Sequence, residues 1–439
     1  MRTLLVPQSE IAEGSIDIAG FKHAATVIMA ASVALRKDVR IINAPDILDT
    51  HIICDILNML GGVCSYNGKI LTINCSNLNS WNIPNQLAEK VHGAIYLIPV
   101  LLGRFKQVSF SSFGGCAIGD NGERPIKHML DVLAHFGANF LFNNGGISGC
   151  IDNFKPCIID IMDFSDLDDV LTGPLVSGAT KTAILASMFV SKGITKILNP
   201  YLKPDVTELL EFLKLNDFNV QYNINEIVIH SPIVPIEMQS GHSATMTLLS
   251  DLSEIITYLT LSTLSMRKIF LRCEKLERVV KGLQAELNLF ASIGVRIHCN
   301  GNTIYAEPSY QLKASDIVVK SMGIYSDHQP FFTLLLCYAN GKSTLEEKVW
   351  KNRFSYAYEL NKMGSTITVN DSRITILPSR LHSYTQYLEA QDLRSAAVLL
   401  VAAIIRNGET IINGSEHLER GYTNLVENLA KLGVHVSYI

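Results

Sequence analysis

The chain has 439 residues, a formal net charge of −4 at pH 7, 48% hydrophobic residues and 18% charged residues. Its length exceeds the size at which a single core stops growing, so we expect two domains. The low charged fraction argues against a disordered or coiled-coil chain, and the slightly acidic balance lacks the basic footprint of a nucleic-acid-binding protein. We therefore expect a compact enzyme with no nucleic-acid partner.

The cysteines and the apolar runs bear on metals and on the cellular compartment. Nine cysteines are scattered without a Cys-x-x-Cys pair, which gives no support to a zinc ribbon or a redox pair. Pro7 and Glu10 interrupt the N-terminal segment, so it is no signal peptide, and the longest apolar run, residues 24–35, is too short to cross a bilayer. We expect a cytoplasmic protein with reduced thiols, no membrane partner, no metal and no cofactor.

Two hairpins and one helix start can be predicted in chain order. Residues 63–66 and 70–73 alternate in polarity around Asn67-Gly68, which is a strong signal for a hairpin turn. Lys203-Pro204-Asp205 marks the start of an amphipathic helix, because proline is favoured in the first helical turn. Asn300-Gly301 then repeats the hairpin signal.

A helix followed by a glycine, a strand, a short turn and a second strand recurs six times. The copies lie at intervals of roughly 70 to 80 residues, longer than the period of solenoid repeats. Such units also resemble one another by chance, but near-constant spacing favours an internal repeat. We expect three globular units in each of two similar domains, with the pattern breaking near residues 241–250. The copies are marked by Gly61, Gly137, Asn216, Gly294, Gly364 and Gly433.

Cys116 stands in the most distinctive segment of the chain, a loop in which four of nine residues are glycine. Glycines let backbone N–H groups approach a ligand closely. A thiol with Arg124 just beyond it suits a loop that closes over an anionic substrate. A flexible turn with an incidental cysteine is the alternative that the loop by itself leaves open.

Six blocks of sequence, lying far apart, form a common pattern. Asp392-Leu393-Arg394 and Glu419-Arg420-Gly421-Tyr422 are the most specific, and the others are Phe21-Lys22-His23-Ala24-Ala25, the Cys116 loop, Asp327 and Lys351-Asn352-Arg353-Phe354. Together they resemble the enolpyruvyl transferases over essentially the whole chain. The likeness is greater to the UDP-N-acetylglucosamine 1-carboxyvinyltransferases of peptidoglycan synthesis than to the shikimate-pathway enzymes.

The resemblance implies an α/β fold of two domains, a two-domain inside-out α/β barrel with six repeated βαβαββ units, three per domain. Residues 22–249 would form the domain that carries Cys116. Residues 1–21 together with 250–439 would form the second domain. The resemblance places the active site in the cleft between them.

The resemblance also implies a reaction, the transfer of the enolpyruvyl group of phosphoenolpyruvate to a hydroxyl group with release of phosphate. Such a donor carries a phosphate and a carboxylate, which arginine binds in a bidentate manner and lysine as a point charge. An isolated arginine would more often form a surface salt bridge. The cations carried over from the family are Lys22, Arg124, Arg353, Arg394 and Arg420, with Lys22 and Arg420 expected to be catalytic.

Two further catalytic residues follow from the resemblance. Asp327 matches the general base that takes the acceptor's proton, with the adjacent His328 as a competitor and a helix-capping role near Pro330 as the alternative. Cys116 matches the loop cysteine that assists proton addition and product release and is alkylated by fosfomycin. Three extra residues lie between this cysteine and Arg124 relative to the cell-wall enzymes.

Asp392 is predicted to share a strand face with Arg394, two residues later, and to orient it or a neighbouring base. The remaining substrate-binding positions are expected on the acceptor side of the site. They are His23, His92, Ser177 and Gly178.

Several acceptor-side positions depart from the cell-wall enzymes, whereas the donor-side positions are mostly kept. His23 replaces an asparagine, His92 an arginine, Leu48 a common lysine and Leu252 an arginine. Lys181 stands in place of a glutamate in the run that follows Ser177-Gly178. These changes favour an altered acceptor.

Three functions remain open at this point. The first is enolpyruvyl transfer to a nucleotide or nucleotide sugar, as in specialised relatives from nucleoside natural-product pathways. The second is the standard reaction with UDP-N-acetylglucosamine. The third is an inactive paralogue that binds an anionic metabolite, which retention of Cys116, Asp327 and Lys22 argues against because binding alone needs neither thiol nor carboxylate.

Overall fold

The computed structural model describes residues 2–115, 125–143, 146–232, 243–382, 387–406 and 408–439. Their contacts divide the chain into two compact units. Unit 1 comprises residues 2–20 and 249–439, and unit 2 comprises residues 21–115 and 125–248. The predicted domain bounds and the predicted cleft stay predictions.

The elements of unit 2 follow two strands, β1 (Thr3–Val6) and β2 (Gly14–Asp17), that belong to unit 1. The helices of unit 2 are α1 (Lys22–Ala34), α2 (Leu48–Met59), α3 (Asn85–Ala88), α4 (Leu97–Phe105), α5 (Lys127–His135), α6 (Val176–Ser187) and α7 (Pro204–Leu215). Its strands are β3 (Asp38–Ile42), β4 (Val63–Asn67), β5 (Ile70–Asn74), β6 (Gln107–Phe110), β7 (Asn139–Asn143), β8 (Gly146–Cys150), β9 (Ile158–Asp160), β10 (Ile194–Leu198), β11 (Val220–Tyr222), β12 (Glu226–His230) and β13 (Ala244–Thr247).

Unit 1 continues after the second crossing of the chain. Its helices are α8 (Leu252–Ser265), α9 (Leu276–Gly282), α10 (Gln284–Ser292), α11 (Gln329–Cys337), α12 (Ser355–Lys362), α13 (Leu393–Ile404) and α14 (Leu425–Ala430). Its further strands are β14 (Ile269–Arg272), β15 (Ile297–Asn300), β16 (Thr303–Ala306), β17 (Asp316–Val319), β18 (Ser343–Glu347), β19 (Thr366–Asn370), β20 (Arg373–Leu377), β21 (Tyr387–Glu389), β22 (Thr410–Asn413) and β23 (Ser437–Tyr438). Short 3₁₀ helices span His92–Tyr96, Ile161–Phe164 and Ser415–Arg420.

Five four-stranded sheets share one pairing pattern, in which a parallel pair is extended by two antiparallel strands. In unit 1, β17 runs parallel to β18, which pairs antiparallel with β20, and β20 pairs with β19. The order β9-β10-β12-β11 repeats this pattern in unit 2. The predicted hairpins around Asn67-Gly68 and Asn300-Gly301 are both present.

The sixth sheet has the three strands β6, β8 and β7. In place of a parallel partner strand, β6 has a single parallel β-bridge between Asn82 and Ser109. Each unit therefore holds three copies of one helix–sheet repeat, which confirms the predicted α/β class and the sixfold repetition.

The chain passes from unit 1 to unit 2 after Gly20 and returns to unit 1 near Leu249. At each of these two crossings, an edge strand pairs with a repeat other than the one that follows it. The strand β2 precedes α1 but pairs with β14, whereas β13 precedes α8 but pairs with β3. The crossings are bridged at Gly20 and Ser250, and the Ser250 hydroxyl donates to the carbonyl of Ile18 at 3.1 Å. One sheet in each unit is thus completed by a strand that is distant in the sequence.

The helices that line the core are apolar on nearly every side. All residues of α13 and α11 are buried, and α1 is buried from Ala24 to Ala34. Helices that are hydrophobic all round belong in the interior, with amphipathic strands outside. No helix of the described residues is long and apolar enough to cross a membrane.

The residue with a left-handed backbone that follows the helix of the third repeat lies one position later than the predicted Asn216. Gly61, Gly137, Gly294, Gly364 and Gly433 all have positive φ, but Asn216 does not. Asp217, with φ of 64°, takes the left-handed position instead. Asn216 is fully buried and donates a side-chain hydrogen bond to the carbonyl of Phe212.

Candidate active site

Asp327 lies between two arginine side chains in unit 1. Its Oδ1 is 2.7 Å from Nη1 of Arg353, and its Oδ2 is 3.0 Å from Nη2 and 3.1 Å from Nε of Arg394. The arginine side chains are 7% and 2% exposed and the aspartate 23%. The carboxylate is therefore the accessible member of a cluster with two buried cations.

The segment before α11 presents Asp327 to these arginines. Ser326 donates to Oε2 of Glu347 at 2.7 Å and accepts from Nη1 of Arg353 at 2.9 Å. The side chain of Gln329 donates to the carbonyl of Arg353 at 2.8 Å. Helix α11 begins at Gln329, and the side chain of its N-cap residue, His328, makes no capping hydrogen bond.

Electrostatics keep both arginines charged. Burial by itself would lower the pKa of Arg394, but the charges of Asp327, Tyr422 and Asp251 and the hydrogen bond to Asp327 together outweigh it, and the pKa lies above its ordinary value. The pKa of Arg353 is raised by a similar balance. Both guanidinium groups therefore stay charged, and their planar N–H donors suit an anion.

The prediction that Asp392 shares a strand face with Arg394 is wrong. Asp392 is the N-cap of α13, and its Oδ1 accepts the backbone N–H groups of Arg394 at 2.7 Å and Ser395 at 2.9 Å. An aspartate followed by an apolar helical run is a strong N-cap signal, which the strand prediction overlooked. Asp392 therefore holds the start of the helix that carries Arg394.

Arg420 ends the 3₁₀ helix Ser415–Arg420 and is half-buried. Gly421 lies against the first residue of α13, and a Cβ atom there would be 2.5 Å from Cδ2 of Leu393. The next residue, Tyr422, is buried, and its hydroxyl lies 2.7 Å from Thr257 and 3.5 Å from Nη1 of Arg394. The Arg-Gly-Tyr block thus packs on the N-terminus of α13.

The N-termini of α8, α11 and α13 converge in this region. Asp251 caps α8, and its charge helps to raise the pKa of Arg394. Ser253 in the first turn of α8 is hydrogen-bonded to His328, the residue before α11. Helix N-termini carry partial positive charge, which adds to the preference for an anion. Leu252, a position singled out in the sequence, is fully buried here.

In unit 2, Lys22 begins helix α1 and is tied to Asp49 in the first turn of α2. Nζ of Lys22 lies 2.6 Å from Oδ2 of Asp49, and the side chains are 14% and 5% exposed. Asp49 was not among the predicted site residues. Its position beside Leu48, which had been singled out in the sequence, was the available signal.

His23 belongs to a second charged group in unit 2. Lys181 forms a buried ion pair with Asp205, and its ammonium group lies 5.4 Å from the ring centre of Tyr96. Burial opposes the charge of Asp205, yet Lys181 and then His23 lower the pKa of that carboxyl. His23 and Lys181, two positions singled out in the sequence, therefore both act on the charge of one carboxylate.

The other acceptor-side residues lie near helix starts in unit 2. His92 opens the 3₁₀ helix before α4, and Ser177 and Gly178 lie in the first turn of α6. A Cβ atom at Gly178 would be 2.3 Å from Nε2 of His128. Gly178 therefore makes room for a buried imidazole, a packing reason that the sequence did not reveal.

Each unit thus brings together its own share of the predicted residues. Unit 1 gathers Asp327, Arg353, Arg394, Asp392 and Arg420 around the starts of α11 and α13. Unit 2 holds the remaining described residues at the starts of α1, α4 and α6. Cys116 and Arg124 lie outside the described residues. The roles of all these residues stay predictions.

The described residues contain no group of three or more histidine, cysteine, aspartate or glutamate side chains that could hold a metal ion. Burial raises the pKa of Cys75, Cys273 and Cys337 to about 12. Such thiols are poor nucleophiles. The chemistry that the arrangement supports is therefore anion binding by arginine next to a carboxylate base.

Comparisons with known proteins match nearly the whole chain. The profile of the family described as EPSP synthase (3-phosphoshikimate 1-carboxyvinyltransferase) matches residues 6–429. UDP-N-acetylglucosamine 1-carboxyvinyltransferase of Wolbachia sp. subsp. Drosophila simulans is 29% identical over 97% of this chain and 96% of its own length. The enzyme of that name from Campylobacter fetus is 30% identical over 96% of each chain.

Solved structures agree with these sequence matches. The enolpyruvyl transferase NikO from Streptomyces tendae is 31% identical, with a TM-score of 0.93 over 100% of this chain and 99% of its own. EPSP synthase from Acinetobacter baumannii, at 14% identity and a TM-score of 0.72, shows likeness of fold alone. The inside-out α/β barrel that the sequence predicted is confirmed.

Proposed function

Because the chain belongs to the EPSP synthase family of carboxyvinyltransferases, we propose that it transfers the enolpyruvyl group of phosphoenolpyruvate to a hydroxyl group of a nucleotide or nucleotide sugar. Phosphate is released in the reaction. The chain is an enolpyruvyl transferase, and the identity of the acceptor is the proposed part. The alternative of an inactive metabolite-binding paralogue has no support from its relatives.

The observation that carries the proposal is the contact of one carboxylate with two buried arginines. In the proposed mechanism Arg353 and Arg394 bind the anionic groups of phosphoenolpyruvate, because guanidinium groups match carboxylate and phosphate geometry. Their contacts to Asp327 are then replaced by contacts to the donor. The freed carboxylate becomes available to accept the proton of the attacking hydroxyl.

Several further residues are proposed to act on the donor. Lys22, positioned by Asp49, supplies a point charge to the phosphate. Arg420 stabilises charge as the carbon–oxygen bond to phosphate breaks. Cys116 and Arg124 are proposed to act from the glycine-rich loop, with Cys116 assisting proton addition at the methylene carbon. Domain closure would exclude water during the transfer.

The acceptor is proposed to differ from that of the cell-wall enzymes. His23 and Lys181 share the charge of Asp205, and His92 lies at the start of a 3₁₀ helix. Leu48 is 42% exposed and offers no charge at its position. His92 and Leu48 stand where the cell-wall pattern has an arginine and a lysine, which supports a smaller acceptor such as a nucleoside monophosphate.

UDP-N-acetylglucosamine is the second candidate acceptor. It is favoured by the names of the curated relatives, which cover almost the whole chain. Phosphate release from phosphoenolpyruvate separates the candidates when it is measured with uridine, UMP, UDP and UDP-N-acetylglucosamine. We expect kcat/KM to be highest with a nucleotide that lacks the amino sugar. A higher kcat/KM with UDP-N-acetylglucosamine would replace the first candidate by the second.

A further inference from the structure

A buried chain of three polar side chains lies directly behind Asp327. Nε2 of His328 is 3.0 Å from the hydroxyl of Ser253, and Nδ1 of His328 is 2.9 Å from Oε1 of Glu286. The exposures of Ser253, His328 and Glu286 are 2%, 1% and 0%. These residues link the starts of α8 and α11 to the first turn of α10.

The order serine–histidine–carboxylate resembles that of nucleophilic triads. Burial rules out this chemistry, because no substrate carbonyl reaches a hydroxyl group that is 2% exposed. An ionisable pair in the interior is costly to desolvate, and a hydrophobic pair of similar volume would often be as stable. Its presence therefore calls for a role in fixing the structure around it.

Glu286 also holds the backbone that leads to Asp327. Its Oε1 accepts the backbone N–H of Tyr325 at 2.8 Å as well as the ring N–H of His328. On the other side of the segment, Ser326 donates to the buried carboxylate of Glu347. The residues on both sides of Asp327 are thus anchored to buried carboxylates, whereas Asp327 itself contacts the arginines.

These anchors matter most when the arginines are occupied by substrate. In the free protein Asp327 is held by Arg353 and Arg394, but an anionic donor competes for the same nitrogens. The position of the carboxylate then depends on the backbone on either side of it. A displacement of about 1 Å at such a group costs on the order of a hundredfold in rate.

We propose that His328, hydrogen-bonded to Ser253 and Glu286, is a positioning residue that holds Asp327 in place for proton transfer while the arginines bind the donor. The inference rests on the proposed role of Asp327 as the base. His328 does not itself exchange a proton with substrate, because its ring is buried and both nitrogens are engaged within the protein.

Substitution of His328 tests the proposal with two readouts. His328→Met fills a similar volume without either hydrogen bond, and His328→Asn retains a donor for Glu286. We expect kcat to fall about tenfold to a hundredfold in His328→Met, with KM for phosphoenolpyruvate and acceptor changed less than about threefold. His328→Asn should recover most of that loss.

A matched pair on helix α8 serves as the control. Ser253→Ala removes the hydrogen bond to His328, whereas Ser262→Ala removes a partly buried hydrogen bond to the carbonyl of Arg267 at the other end of the helix. We expect kcat to decrease in Ser253→Ala and to stay at the wild-type level in Ser262→Ala. Equal effects of the two substitutions would overturn the proposal.

Hydrogen exchange over residues 321–332 gives a readout that needs no turnover. Backbone amides of this segment should exchange faster in His328→Met and at the wild-type rate in Ser262→Ala. Unchanged exchange, or faster exchange with unchanged kcat, would overturn the positioning role. Absence of phosphate release in the wild-type protein would contradict the proposed function instead, and the exchange result would still decide whether His328 anchors this segment.

Discussion

Arg394 contacts Asp327 through two nitrogens, with Nε at 3.1 Å and Nη2 at 3.0 Å from the same carboxylate oxygen. A lysine could offer only one point charge at this position. The guanidinium group is 2% exposed, so its orientation is fixed by packing as well as by the ion pair. This pairing sets the geometry from which donor binding and proton transfer are proposed to proceed.

Arg394→Lys tests the need for a planar guanidinium group. The loss of one charge-assisted hydrogen bond should lower kcat/KM for phosphoenolpyruvate by about tenfold to a hundredfold. Arg373→Lys is the control, because Arg373 pairs with Glu346 at 3.0 Å on the surface with 61% of its side chain exposed. Equal kcat/KM values in the two variants would rule out donor binding by Arg394.

Asp392→Ala tests the capping role found for this residue. Two backbone N–H groups would lose their acceptor, so we expect a loss of about 1 kcal/mol in the free energy of unfolding. Asp392→Asn should retain most of that stability, since asparagine also caps helices well. Urea unfolding of both variants measures the difference. If asparagine were as destabilising as alanine, the charge rather than the cap would be responsible.

The tether between Lys22 and Asp49 makes a prediction about donor affinity. Asp49→Ala should leave Lys22 without its fixed partner and raise KM for phosphoenolpyruvate by about threefold to tenfold. Asp38→Ala is a suitable control, because Asp38 accepts a hydrogen bond from the side chain of Asn74 at an exposed position in the same unit. An unchanged KM for phosphoenolpyruvate in Asp49→Ala would show that Asp49 has no role in donor binding.

The buried pair of Lys181 and Asp205 makes a prediction about stability. Lys181→Met would leave the buried carboxylate of Asp205 without its ion-pair partner, at a cost of about 3–5 kcal/mol. Replacing both residues by apolar ones of similar size should recover much of that loss. A double variant no more stable than Lys181→Met would show that the damage is due to packing.

The pair of Lys181 and Asp205 also predicts how the free energy of unfolding changes with pH. The pKa of Asp205 lies below its ordinary value of 3.8, so its contribution is present at neutral pH and is lost as the pH falls through the folded-state value. The difference in unfolding free energy between the wild type and Asp205→Asn should therefore be greatest near pH 7. It should narrow below about pH 4, and a constant difference would contradict the assignment.

His128 is expected to make the free energy of unfolding depend on pH in a less acidic range. Burial lowers its pKa from 6.5 to about 4, so the unfolded chain binds more protons between these values. Stability should fall by up to about 3 kcal/mol on acidification through this window. His128→Gln should flatten this part of the profile of unfolding free energy against pH, and an unchanged slope would contradict a neutral buried imidazole.

Much of the fold could be predicted because its signals are local. Asn67-Gly68 and Asn300-Gly301 define hairpins through the turn they require, and the proline of α7 marks its start. The third repeat was misplaced by one residue because Asp217, rather than a glycine, adopts the left-handed conformation. An aspartate at that position is locally permitted but is a weaker signal.

The site could be predicted only in part, for a physical reason. The cations and Asp327 belong to short motifs, so their residue types could be read directly. Their partners Asp49, Glu286, Glu347 and Asp205 come from elements distant in the sequence, and only folding brings them into contact. Asp392 was assigned to a strand because a spacing of two residues was interpreted without the N-cap signal that precedes the apolar helix.

The most direct test of the central claim is the identification of the product formed from phosphoenolpyruvate and UMP by the purified protein. The account predicts release of phosphate together with a nucleotide that is heavier by one carboxyvinyl group, and loss of both products in Asp327→Ala with phosphoenolpyruvate binding largely retained. Formation of a carboxyvinyl product from UDP-N-acetylglucosamine alone would contradict the proposed acceptor. Undiminished turnover in Asp327→Ala would contradict the proposed mechanism.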